Sequence, residues 1–145
     1  MDTRVRPAGV AVLERMLHEG FATGGLDVVD EVCSPDMVEH QFGLSGSGPE
    51  AIRKVKEGIT QVHAAFPDLR FEVADWAERD GVAWVRAEAS ATNTGPFVGP
   101  PTGLPVRFTV IDVARVVDGR IVEHWGVPDR FAILVQVGGL GGRAR

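Results

Sequence analysis

Phe108-Thr109-Val110-Ile111-Asp112-Val113-Ala114-Arg115-Val116-Val117-Asp118-Gly119-Arg120-Ile121-Val122-Glu123-His124-Trp125 holds two β-rich runs joined by Asp118-Gly119, a dipeptide that strongly marks a tight hairpin. Each run carries a polar residue among apolar ones: Asp112 amid Val and Ile, and His124 near the end. An unpaired carboxylate facing an apolar core costs several kcal/mol, so Asp112 needs solvent, a partner or a pocket. A two-residue loop sets Asp112 opposite Trp125, with Glu123 on the same face. A three-residue loop that takes in Val117, with Gly119 at a left-handed bulge, sets it opposite His124. A one-residue slip exchanges the two faces. The second register, which pairs a carboxylate with an imidazole, is the one expected.

Outward from this hairpin, the chain reads as helices first and strands afterwards. Val10, Leu13, Met16 and Leu17 recur at helical spacing over residues 8–20, with Gly20 as the stop. A short second helix follows Gly24-Gly25 and breaks at Ser34-Pro35-Asp36. Met37 to Gln41 reads as a brief extended piece entering a Gly/Ser loop. The third helix starts at Gly48-Pro49-Glu50, buries Ile52, Val55, Ile59, Val62 and Phe66, and ends at Pro67-Asp68. Leu69 to Ala77 and Val82 to Thr92 form strands around a second hairpin signal, Asp80-Gly81. The Pro/Gly-rich segment Thr94 to Pro105 cannot continue a central strand and reads as a crossover loop or a gate. Phe131 to Val137 is an apolar coda, and 138–145 a frayed tail. The expectation is an α+β fold: N-terminal helices on a curved, antiparallel four-stranded sheet, closing into a cone-shaped barrel around a pocket.

Composition narrows the function. A chain of 145 residues, read as one domain over 1–145, can bury a sizeable core without metals or disulfides. A net charge of −5 without a basic run argues against nucleic acid or an anionic membrane as partner. The N-terminus lacks the apolar core of a signal peptide and no run is long enough to span a bilayer, so a cytoplasmic protein is expected. The single cysteine, Cys33, reads as a small buried hydrophobe. His18, His40, His63 and His124 are too scattered for a zinc site. The glycines form no phosphate loop, and there is no Gly-x-Ser-x-Gly elbow.

Several motifs together resemble the SnoaL-like polyketide (ester) cyclases. They are Ala65-Phe66-Pro67-Asp68-Leu69, the loop Thr92 to Gly103, the run Ile111 to Trp125, and Gln136-Val137-Gly138. The resemblance covers nearly the whole chain. It implies the nuclear-transport-factor/scytalone-dehydratase cone, a homodimer, and ring closure on a polyketide-derived intermediate with neither metal nor organic cofactor. Type members close the ring by intramolecular aldol condensation, with side chains as acid and base. Their aspartate two positions after the His of the His-Trp motif is here Gly126, and the imidazole of their preceding strand falls at Asp112. His124 matches, as does Asp129, a frequent acidic position after the strand. Aldol, cyclic-ether and pericyclic closures all stay open at this point.

The catalytic candidates are therefore Asp112, His124 and His40. Asp112 is read as a general acid or base whose alternative is a salt bridge to Arg86 or Arg107. His124 is a proton shuttle or the partner of Asp112 in a dyad. His40 would hydrogen-bond a substrate oxygen at the cavity mouth, or face solvent. The substrate-binding candidates are Glu39, Trp84, Arg86, Glu88, Phe97, Phe108, Val110, Gly126 and Asp129. The aromatic residues among them, with Trp125, suit a greasy pocket for an apolar substrate, or plain core and dimer contact. A cyclase of antibiotic-type polyketides, an isomerase in net chemistry, is the expectation. A non-catalytic binding protein, or an epoxide hydrolase built on Asp112 and Arg86, are the alternatives.

Overall fold

The computed structural model describes residues 2–139 and is an α+β fold with helices packed on one face of a mixed sheet that is not closed. Helix α1 (Ala8–Arg15) continues through a π-helical turn at Met16–Phe21, so the first helical stretch passes Gly20 instead of stopping there. Helix α2 (Asp27–Val32) leads directly into strand β1 (Cys33–Glu39), and β2 (Gly46–Ser47) precedes helix α3 (Gly48–Ala65). Strands β3 (Arg70–Arg79), β4 (Val82–Thr92), β5 (Pro105–Val117) and β6 (Arg120–Pro128) follow, and Phe131 to Val137 forms most of helix α4 (Arg130–Gln136). The tail expected to fray lies, from residue 140 on, outside the described residues.

The sheet has six strands in the order β2-β1-β6-β5-β4-β3, not four, and β1 lies parallel to β6. Helix α2 stops at Val32, just ahead of Ser34-Pro35-Asp36 as expected, and that triplet itself lies inside β1. Proline is accepted there because the β1–β6 ladder is interrupted between Cys33 and Val38. The extended piece expected from Met37 is the second half of this strand; its start at Cys33 and its place in the sheet were not expected, because its alternation is short and half polar, a pattern that a loop also satisfies.

The hairpin register differs from both expectations. Asp118 and Gly119 have φ of 51° and 75°, the left-handed pair of a two-residue primed turn, and Val117 pairs with Arg120. A bulge at Val122 then inserts one extra residue, so Arg115 pairs with Glu123, Ala114 with His124, and Asp112 with Gly126. The bulge lets Ile121 and His124, three positions apart, both face inward. Asp112 is thus diagonal to His124 on the inner face, neither directly opposite it nor opposite Trp125.

The core lies between that inner face and the helices. On β4 the inward residues are Ala83, Val85, Ala87, Ala89 and Ala91; on β5 they are Val106, Phe108, Val110, Asp112 and Ala114. Leu13, Met16 and Leu17 from the first helical stretch and Val55 and Ile59 from α3 pack down on them. The alanines of β4 present little volume, so side chains of the helices do not fill all the space above the sheet. Asp112, only 6% exposed, stands inside this apolar series.

Candidate active site

Three neighbouring strands each bring one polar side chain to the same spot. Side chains alternate along a strand, so Met37 and Glu39 of β1 face inward while Val38 and His40 face out. Glu39 pairs with His124 across the parallel β1–β6 ladder, and Asp112 stands one strand further on. The result is a row: His124 Nδ1 lies 2.7 and 2.9 Å from the two Glu39 carboxyl oxygens, and Nε2 lies 3.0 Å from Asp112 Oδ1. The Gln41 backbone N–H also donates to Glu39 Oε2, at 3.1 Å.

Electrostatics fix the state of the central ring. Burial alone disfavours a charged imidazole, but the hydrogen bonds to Asp112 and Glu39, with the charges of those groups, outweigh it and push the His124 pKa up to about 10. At neutral pH an imidazolium therefore sits between two carboxyl groups. Both of its nitrogens are engaged, whereas Asp112 Oδ2 has no hydrogen-bond partner among the described residues. Asp112 is the member of the row with an oxygen to spare.

These groups border an inner chamber of about 100 Å³, otherwise walled by apolar side chains such as Leu13, Met16, Phe71, Phe108, Val110 and Ile121. It adjoins an outer cleft of about 520 Å³ bordered by Phe66, Phe97, Val98, Arg130 and Ile133. Phe21, Gln41, Leu44, Val62, Phe108 and Pro128 border both. Asp112, His124, Glu39, Phe108 and Val110 are thus brought together. Gly126, directly opposite Asp112, adjoins them without contributing a side chain. Phe97 packs against Phe66 with ring centroids 5.3 Å apart and reaches only the outer cleft.

The other sequence candidates lie elsewhere. His40 points to the outer face, 2.7 Å from Glu123 and stacked on Trp125 at 4.9 Å, because it follows the inward Glu39 and adjacent strand residues face opposite ways. Trp84, Arg86 and Glu88 are the outward series of β4, and Arg86 pairs with Glu88 there at 3.2 Å. Asp112 accordingly meets neither Arg86 nor Arg107, and among the described residues no arginine borders the inner chamber as the epoxide-hydrolase alternative would need. Asp129 caps α4, its Oδ1 accepting from the Ala132 N–H at 3.0 Å. Gln41 escaped the sequence reading. Gln41 follows β1 by two residues and borders the chamber, so the signal depended on knowing that Glu39, in the same extended piece, faces inward.

Comparison with known proteins shows what the chain is similar to. The family model described as SnoaL-like polyketide cyclase matches residues 11–137. The aklanonic acid methyl ester cyclase DauD of Streptomyces sp. (strain C5) is 31% identical over 134 residues, covering 87% of this chain and 80% of that protein. The nogalonic acid methyl ester cyclase of Streptomyces nogalater is 32% identical over 125 residues, covering 81% and 89%. Among solved structures, IdmH of Streptomyces antibioticus, described as a putative polyketide cyclase, superposes with a TM-score of 0.71 at 34% identity, covering 88% of this chain and 96% of that one.

Proposed function

The chain belongs to the SnoaL-like polyketide cyclase family, and from that premise we propose that Asp112 moves the proton as the enzyme closes a ring on a polyketide-derived ester. The observation that carries this reading is the spare oxygen of a buried carboxyl group whose other oxygen is held by an imidazolium. Asp112 Oδ2 takes a proton from a carbon flanked by carbonyls, and the C–H electrons pass into an enolate. The enolate carbon bonds to a second carbonyl carbon of the same chain, and the oxygen formed there recovers the proton from Asp112. Atoms balance, so the net reaction is an isomerisation. Holding the two carbons in line can contribute roughly 7–11 kcal/mol, which leaves few tasks for polar side chains. His124 acts as a positioning residue that holds Asp112 by its other oxygen and so orients Oδ2.

The carboxylate replaces the missing side chain of Gly126 from across the ladder: the two residues are direct partners, and Asp112 Oδ1 lies 3.0 Å from where a Cβ at 126 would stand. The aldol route therefore keeps a carboxylate, supplied by β5 instead of β6. The same reading includes a homodimer in the cytoplasm. Its support is the outer sheet face, where Trp84, Ile111 and Val127 are 51%, 43% and 64% exposed. Among the described residues no helix is long and apolar enough to cross a membrane.

The test supplies aklanonic and nogalonic acid methyl esters and follows products by mass spectrometry. A cyclic product of unchanged mass is expected. Asp112→Asn should lower turnover by about 10²–10⁴-fold while retaining ester binding. Near-normal turnover in that variant removes Asp112 from proton transfer; a gain of water, or binding without turnover, removes the cyclase chemistry.

A further inference from the structure

We propose that Gln41 is the hydrogen-bond donor that receives the substrate's carbonyl oxygen as negative charge builds on it, and that the bare backbone of Gly126 is what admits its amide to the site. The proposal rests on the cyclase reading above and adds to it the group that steadies the enolate.

Removing a proton beside a carbonyl puts charge on the carbonyl oxygen, and in a chamber with apolar walls a facing donor stabilises the part of that charge that the flanking carbonyls do not delocalise. The strongly polar side chains bordering the inner chamber are Glu39, Gln41, Asp112 and His124. His124 spends both nitrogens on the two acids, and the acids accept. Gln41 is the remaining strong donor, and its side-chain amide has no hydrogen-bond partner among the described residues. It borders both the inner chamber and the outer cleft, so it stands where a substrate passing from one to the other must run. Its own backbone N–H is tied to Glu39, which anchors the amide's starting point to the charged row.

Gly126 explains how the amide fits. Its φ is not positive, so the backbone does not require glycine. A Cβ there would stand 2.0 Å from Gln41 Oε1 and 3.0 Å from Asp112 Oδ1. The Gln41 amide and the Asp112 carboxyl group thus meet beside Gly126, with Oε1 and Oδ1 nearest that point and Nε2 of the same amide unpartnered among the described residues, in space that any side chain at 126 would close. The two-chamber shape also indicates which part of the substrate lies where. The inner chamber, at about 100 Å³, takes a short alkyl arm or one ring, and the cleft of about 520 Å³ takes the bulk of a fused-ring body.

The experiment uses acetophenone, a one-ring ketone, as a probe of hydrogen bonding and the two methyl esters as probes of turnover. In the wild-type protein the infrared carbonyl band of bound acetophenone should move to lower wavenumber than in hexane. In Gln41→Met, which keeps side-chain length but removes the amide, the band should return toward its hexane position, while Asp112→Asn leaves it shifted. Turnover of the esters should fall about 10²-fold in Gln41→Met, mostly in kcat with little change in KM. Gly126→Ala should reproduce the loss of the shift by expelling the amide. A wild-type band at the hexane position, a band unaffected by Gln41→Met, or no bound acetophenone overturns the proposal. A shift that behaves as expected in a protein that cyclises neither ester upholds the donor and overturns the cyclase reading instead.

Discussion

Between Glu39 and Asp112, the His124 ring meets an acceptor on each nitrogen, at 2.7 Å and 3.0 Å. Its pKa rises from 6.5 to about 10, so the folded chain holds this proton more tightly than the unfolded chain does. The resulting stabilisation is complete below about pH 6.5 and is lost as the pH climbs through about 10. Urea midpoints of the wild type should therefore fall over that window, and His124→Gln should remove the slope. A flat wild-type profile would show that the ring is not held as a cation. At this scale the sequence was partly legible. Asp112 stood out because a carboxylate among Val and Ile is costly to bury unpaired. The link between Glu39 and His124, 85 residues apart, left no local trace. Glu39 and His40 looked alike as neighbours, and only the strand assignment separates them.

The β5–β6 hairpin depends on two devices, one visible beforehand and one not. Asp118-Gly119 announces a tight turn because both central residues must take positive φ, which few residue types accept. A Cβ at Gly119 would meet nothing within 4 Å, so Gly119→Ala tests backbone strain alone. It should cost about 1–2 kcal/mol, read as a lower urea midpoint. No loss would mean that the turn is not of the primed type. The bulge at Val122 was invisible because nothing in a run of Arg, Ile, Val and Glu marks an extra residue. Yet it decides which way His124 faces, since one inserted residue inverts the alternation beyond it. The parallel addition of β1 to β6 was equally hidden, and it is what supplies Glu39.

Across the whole molecule the sheet has one face under helices and one without such cover. The covered face holds the chamber and the charged row. The other holds Trp84, Ile111 and Val127, together with His40, Arg86 and Glu88, residues the sequence suggested for the pocket. If that open face joins two copies, as proposed, Trp84→Glu combined with Ile111→Lys should convert a dimer to a monomer in sedimentation. A wild type that sediments as a monomer, or a doubly substituted dimer, would place the contact elsewhere or nowhere. The sequence by itself determined the α+β order of elements, the hairpin, the family resemblance and the oddity of Asp112, because turn chemistry, periodicity and burial cost are properties of short stretches. Only the tertiary structure decided that β1 lies beside β6, that the sheet is six-stranded and mixed, and which polar residues share a face. Those outcomes depend on which distant strands pair and on a single bulged residue, and the packing of the folded chain, not any local run, selects among them.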